Sequence, residues 1–137
     1  MSGLRAHNDA LLVALRADTQ LVVYDADEAP ASPTYPYVSV SHFARRYGDT
    51  YTRISDSCAS AGYRVVVLAV GSSPDEARWA TERVEARLEC ARLVVTGYTC
   101  SACRFESASG VARDPDMEDL YVGSTVWTFV STALIAA

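Results

Sequence analysis

"YRVVVLAVGSSPDEARWATERVEARLECARL" (63–93) holds two periodicities end to end, and the place where one gives way to the other decides the architecture. Residues 63–71 are an apolar, β-branched run that reads as a strand. Ser73 then stands before Pro74, with Glu76 three residues after it. A hydroxyl that can accept from an orphan N–H, a proline whose missing N–H costs nothing at the first helical position, and a reciprocal carboxylate together predict a helix starting at Pro74. Asp75 and Glu76 complement the positive end of its dipole. Ala77, Ala80, Val84, Leu88 and Ala91 recur at three- or four-residue spacing, while Glu82, Arg83, Glu85, Arg87 and Glu89 lie mostly elsewhere. Roughly 18 residues at 1.5 Å per residue would span about 27 Å, enough to cross a sheet. Trp79 falls on the flank of the apolar stripe, where it can cover a sheet edge or meet a neighbouring subunit.

Upstream, "GLRAHNDALLVALR" (3–16) sets Leu4, Leu11 and Leu15 along one helical face, and "QLVVYDA" (20–26) reads as a short strand. "DEAPASPTYP" (27–36) carries three prolines and is an exposed loop. In "YPYVSVSHF" (35–43), Val38 and Val40 alternate with Tyr37, Ser39 and Ser41, as in a half-buried strand. "ARRYGDTYTRISDSCASAG" (44–62) is polar and predicts a long hairpin loop before the strand at 63–71. Downstream, "GYTCSACRFESAS" (97–109) reads as a strand and "LYVGSTVWTFVSTALI" (120–135) as a long final one, with Trp127 and Phe129 on one face. The order α-β-β-β-α-β-β predicts one α+β domain over 1–137, a mixed sheet of about five strands with two helices packed on it.

Half of the 137 residues are apolar and about a fifth are charged, the composition of a compact domain with a sizeable core. The formal charge is −5, and every one of the twelve basic residues is arginine. An acidic chain without a basic run is a poor grip for phosphates, so tight nucleic-acid binding is not expected. The N-terminal stretch lacks a signal-peptide pattern, and no segment approaches 18 unbroken apolar residues; the expectation is a protein made in the cytoplasm with no membrane partner. Four cysteines in that setting read as reduced thiols.

Three clusters could carry chemistry. Cys100 and Cys103 form a CxxC, but zinc needs two further ligands at regular spacing, and Cys58, Cys90, His7 and His42 are scattered. A redox dithiol would sit at a helix N-terminus; this one lies in a predicted strand, which would point its thiols to opposite faces. His7 and His42 have no partner defined by spacing, and neither a nucleophile elbow nor a glycine-rich phosphate loop is present. Asp114, Asp116, Glu118 and Asp119 crowd into six positions without the glycine or ligand spacing of a calcium loop. Asp114-Pro115 favours a turn, so the segment reads as an acidic turn leading into the last strand. No catalytic residue, metal or cofactor is implied.

The order of these pieces, Val65–Gly71, Pro74–Ala91, Thr99–Ala108, the Arg113-Asp114-Pro115-Asp116 turn and Val122–Val130, resembles the tail terminator proteins of long, non-contractile-tailed phages. The resemblance covers nearly the whole chain through the order and spacing of its pieces, and CSAC is not part of it. It implies a non-enzymatic virion protein of the tail and neck. In that family a homo-hexameric ring caps the finished tail tube, stops its polymerisation and offers the surface that joins the head–tail connector protein. Its partners would be the tail tube protein and the connector, with genomic DNA passing through without tight binding. Within that expectation Arg45, Arg46, Tyr47, Tyr51 and Arg53 form a contact element toward tube or connector. Asp114, Asp116, Glu118 and Asp119 form an acidic turn on the ring surface or channel. The competing readings are another neck component, such as a head–tail connector or tail-completion subunit, and a metal or redox protein using CSAC.

Overall fold

A computed structural model describes residues 3–26, 28–46 and 60–134. Helix α1 (Leu4–Arg16) is followed by strands β1 (Val23–Asp25), β2 (Tyr37–Arg46) and β3 (Ser60–Gly71), helix α2 (Pro74–Leu88), and strands β4 (Tyr98–Cys100), β5 (Arg104–Asp114) and β6 (Met117–Ala133). The sheet runs β1-β2-β3-β6, with β4 and β5 sharing the far side of β6. It is mixed: β1 lies parallel to β2 and every other pair is antiparallel. This is the expected single α+β architecture with one strand more than expected.

The extra strand arises where the chain was expected to run straight through 97–109. Cys103 donates its N–H to Ala91 O at 2.7 Å and accepts from Cys90 N–H at 3.2 Å. These bonds draw residues 101–103 out of line toward the segment after α2 and split one strand into β4 and β5. They also stop α2 short of Ala91: Glu89 is already extended, and Cys90 adopts φ 60°. The stretch 44–62 is likewise not all loop, since β2 continues to Arg46 and β3 begins at Ser60; residues 47–59, with Cys58, lie outside the described residues.

One face of the sheet is apolar because buried positions alternate. Tyr63, Val65, Val67 and Ala69 on β3 and Thr125, Trp127, Phe129 and Ser131 on β6 turn inward, and Leu11, Leu15, Ala80, Val84 and Leu88 of the helices cover them. On β2, Val38 and Val40 are buried, and a bulge between Val40 and His42 shifts the phase so that Phe43 comes to the same face. Ser39 is also buried, contrary to simple alternation, because its hydroxyl donates to Ala26 O at 2.6 Å. The two helices are tied together by Arg83, whose guanidinium holds Asp18 at 2.8 and 3.1 Å and lies over the Trp79 ring, and by Arg87, which donates to Ala14 O.

Gly71 makes the strand-to-helix step possible: a Cβ there would stand 2.7 Å from Ala77 N, so α2 could not start so close to the sheet. The cap is as expected in part. Ser73 Oγ accepts from Glu76 N–H at 3.2 Å, but the Glu76 carboxylate reaches past Ser73 and accepts from the N–H and hydroxyl of Ser72, at 2.8 and 2.6 Å. Those bonds, the hydroxyl's first, hold the Glu76 carboxyl below its usual range.

Candidate assembly surfaces

The acidic cluster forms the tip of the β5–β6 hairpin. Asp114 Oδ1 accepts from Asp116 N–H at 2.9 Å, closing the turn locally. Arg113 donates to the Tyr121 hydroxyl at 3.2 Å and stacks on its ring, which stiffens the hairpin behind the carboxylates. Asp116 and Asp119 line a shallow concavity of about 420 Å³ with Tyr35, Ser72, Met117 and Leu120. Tyr24, Tyr35 and Tyr37 cluster nearby: Tyr24 meets Tyr37 edge to face with centroids 5.4 Å apart, and Tyr35 lies tilted against Tyr37 at 5.6 Å. Burial, then the neighbouring tyrosines, and last Asp114 raise the Tyr37 phenol above its ordinary range. This aromatic group escaped the sequence reading, although "TYPYVSV" with the earlier Tyr24 was its visible trace.

The arginines expected as a contact element lie at the other end of the sheet. Arg45 pairs across β2 and β3 with Tyr63, and Arg46 with Gly62, whereas the hairpin tip sits beside the Gly71–Tyr121 pair. Tyr47, Tyr51 and Arg53 lie outside the described residues. The structure therefore separates the two groups: carboxylates and tyrosines at one end, Arg45 and Arg46 at the other.

Of the histidines and cysteines that could have made a reaction centre, His7, Cys100 and Cys103 are in the core, whereas His42 and Cys90 are exposed. His7 is fully buried, stacked 4.6 Å from Tyr63 with Tyr98 against its edge and Phe129 beyond. Its Nδ1 lies 2.7 Å from Gly3 O, which can only accept, so Nδ1 carries the proton and Nε2 accepts from Ser131 Oγ at 2.6 Å. A serine hydroxyl on an imidazole is the first half of a hydrolytic dyad, but a carbonyl stands in place of the orienting carboxylate. Both side chains are sealed under aromatic rings, so a substrate has no approach to the oxygen. Gly3 sits at φ 66° with Tyr98 Oη 2.7 Å from where a Cβ would be, so only glycine can present that carbonyl to His7.

Cys100 and Cys103 are both buried rather than on opposite faces, because the chain leaves the strand between them. Burial raises both thiols, Cys103 to about 11, which keeps them protonated at neutral pH and poor as nucleophiles or ligands. Among the described residues no three His, Cys, Asp or Glu side chains group so as to hold a metal ion, and no helix is long and apolar enough to cross a membrane.

The fold and its surfaces define a class: a small α+β domain that keeps His7, Cys100 and Cys103 in its core and carries its acidic cluster on an exposed hairpin beside open strand edges. The family model of Tail completion protein gp17 matches residues 9–129, and the chain belongs to that family, a structural component of phage-type tails. Among solved structures, a chain from the virion of a native gene transfer agent particle shares the fold, with TM-score 0.73 and 22% identity over 91% of this chain and 93% of that one. A search of curated proteins gave no match.

Proposed function

We propose that this subunit caps the completed tail tube as a homo-hexameric ring, stops tube polymerisation and presents the surface to which the head–tail connector joins. The observation that carries this reading is the polarity of the sheet. A terminator sits between two different partners, and here an acidic, tyrosine-bearing end and an arginine-bearing end lie at opposite ends of the same strands. Arg45 and Arg46, with Tyr47, Tyr51 and Arg53 beyond them in sequence, form the contact element toward tube or connector. Asp114, Asp116, Glu118 and Asp119 lie on the ring surface, where carboxylates facing the channel would repel DNA phosphates during passage.

Electron microscopy of particles lacking the protein tests the role. Overlong tails are the expected result, restored to normal length by the intact chain. Tails of normal length beside unsealed heads would instead assign the subunit to the head side of the neck, the second reading that the family name allows.

A further inference from the structure

Phe43, Val65, Trp127 and Phe105 form one cross-strand row through β2, β3, β6 and β5. The two ends of that row differ. At the β5 end, Phe105 touches the Trp127 ring edge-on and remains 51% exposed, on a strand whose outer edge pairs with no other described strand. At the β2 end, a groove of about 250 Å³ opens between the first turn of α1 and the sheet, lined by Leu4, Arg5, Asn8, Asp25, Val40 and Phe43 among others. β1 covers only Val38–Val40 of β2, so beyond it the outer edge of Ser41–Arg46 has no described strand partner.

We infer that Phe105 of one copy seats in the α1–β2 groove of the next, with β5 adding to the open edge of β2, as the repeating contact of the ring. Four features of the geometry agree. Phe105 and Phe43 occupy the same row, so copies related by rotation alone, without a rise, bring knob and groove to the same level. Phe105 lies on the helix-covered face with Trp127, and Phe43 packs on that face against Tyr63 and Phe129, so the two meet on the same side. Three antiparallel steps separate β2 from β5, so in copies of like polarity the two edges meet antiparallel and can exchange main-chain hydrogen bonds. The contact is heterologous and closes if the rotation closes.

This inference rests on the ring reading, and its test separates the two. The full-length chain carrying the photocrosslinker p-benzoylphenylalanine at position 105 is assembled onto tails, irradiated and mapped by mass spectrometry. The expected product is a ladder of covalent oligomers with crosslinks from position 105 to peptides spanning 3–16 or 38–46 of a second copy. In parallel, Phe105→Asp and Leu4→Arg act on the two sides of the contact. Each is expected to weaken self-association roughly tenfold or more, the cost of losing a central aromatic anchor, while circular dichroism shows a folded monomer. If either variant fails to fold, the crosslink map and the other variant still decide. Crosslinks only to the tube protein, only within one chain or only to other surfaces of the second copy, from rings that still end tails at normal length, overturn this contact and leave the ring reading standing. Failure of the intact chain to form any closed oligomer on tails that end normally overturns both.

Discussion

His7 shows how a single residue acquires its role from neighbours far away in sequence. Its ring joins α1 to β3, β4 and β6 and satisfies both nitrogens, one on Gly3 and one on Ser131. His7→Ala should cost roughly 3 kcal/mol, as for loss of a buried aromatic ring that leaves polar groups unpaired, read as a fall in the urea midpoint. Cys103 supplies a second residue-scale prediction. Its thiol is raised to about 11 in the folded state, while in the unfolded chain it ionises near 8.5. The folded state therefore holds the proton more tightly. Its contribution is fully present below the unfolded value and is lost as pH rises between about 8.5 and 11. Urea titrations across that window should show stability falling with pH, and Cys103→Ala should flatten the fall. Alkylation of the folded chain near neutral pH should modify the exposed Cys90 and spare Cys100 and Cys103 until the protein unfolds.

At the scale of elements, α2 is the part whose limits depend most on local chemistry at one end and on tertiary contacts at the other. Its start was legible because Ser73, Pro74 and Glu76 act within one turn. Ser73→Ala should cost about 1 kcal/mol in thermal or denaturant unfolding through loss of the cap. Its end was not legible, because Cys103, thirteen positions after Cys90, pulls the following segment into a backbone pairing that no helical periodicity encodes. The same pairing divides β4 from β5 and buries both thiols of CSAC. The polar strand β5 was readable as a strand, yet its near-complete exposure depends on lying outside β6 at the sheet edge. The hairpin tip behaved as its Asp-Pro dipeptide implied, with Asp114 closing the turn on Asp116.

For the whole molecule, the proposed function ties fold to assembly through the separation of charge along the sheet. Replacing Asp114, Asp116 and Asp119 by asparagine, with Glu118→Gln, removes four negative charges from one end of the strands. The folded monomer should keep its melting temperature within a few degrees, since surface charges contribute little to stability. Under the channel reading, DNA release from otherwise normal particles should slow, and more so at low salt, where the field of the carboxylates reaches farthest. DNA release timed by fluorescence checks this, and an unchanged rate at every ionic strength would remove the channel role.

Local and periodic information in the chain determined the α+β class, the strand run at 63–71, the start of α2, the acidic turn and the apolar stripes that find each other. These depend on interactions within a few residues, or on an alternation that any sheet would satisfy. Only the tertiary structure decided which strands became edges, which histidine and thiols were sealed, and that Phe105 and Phe43 would share a row across four strands. Such facts depend on register between segments tens of residues apart, and register is set by the packing of the whole core. The stretch 63–93 thus specified a strand and a helix on one face of a sheet; which strands became the edges of that sheet was decided by the register of the whole core.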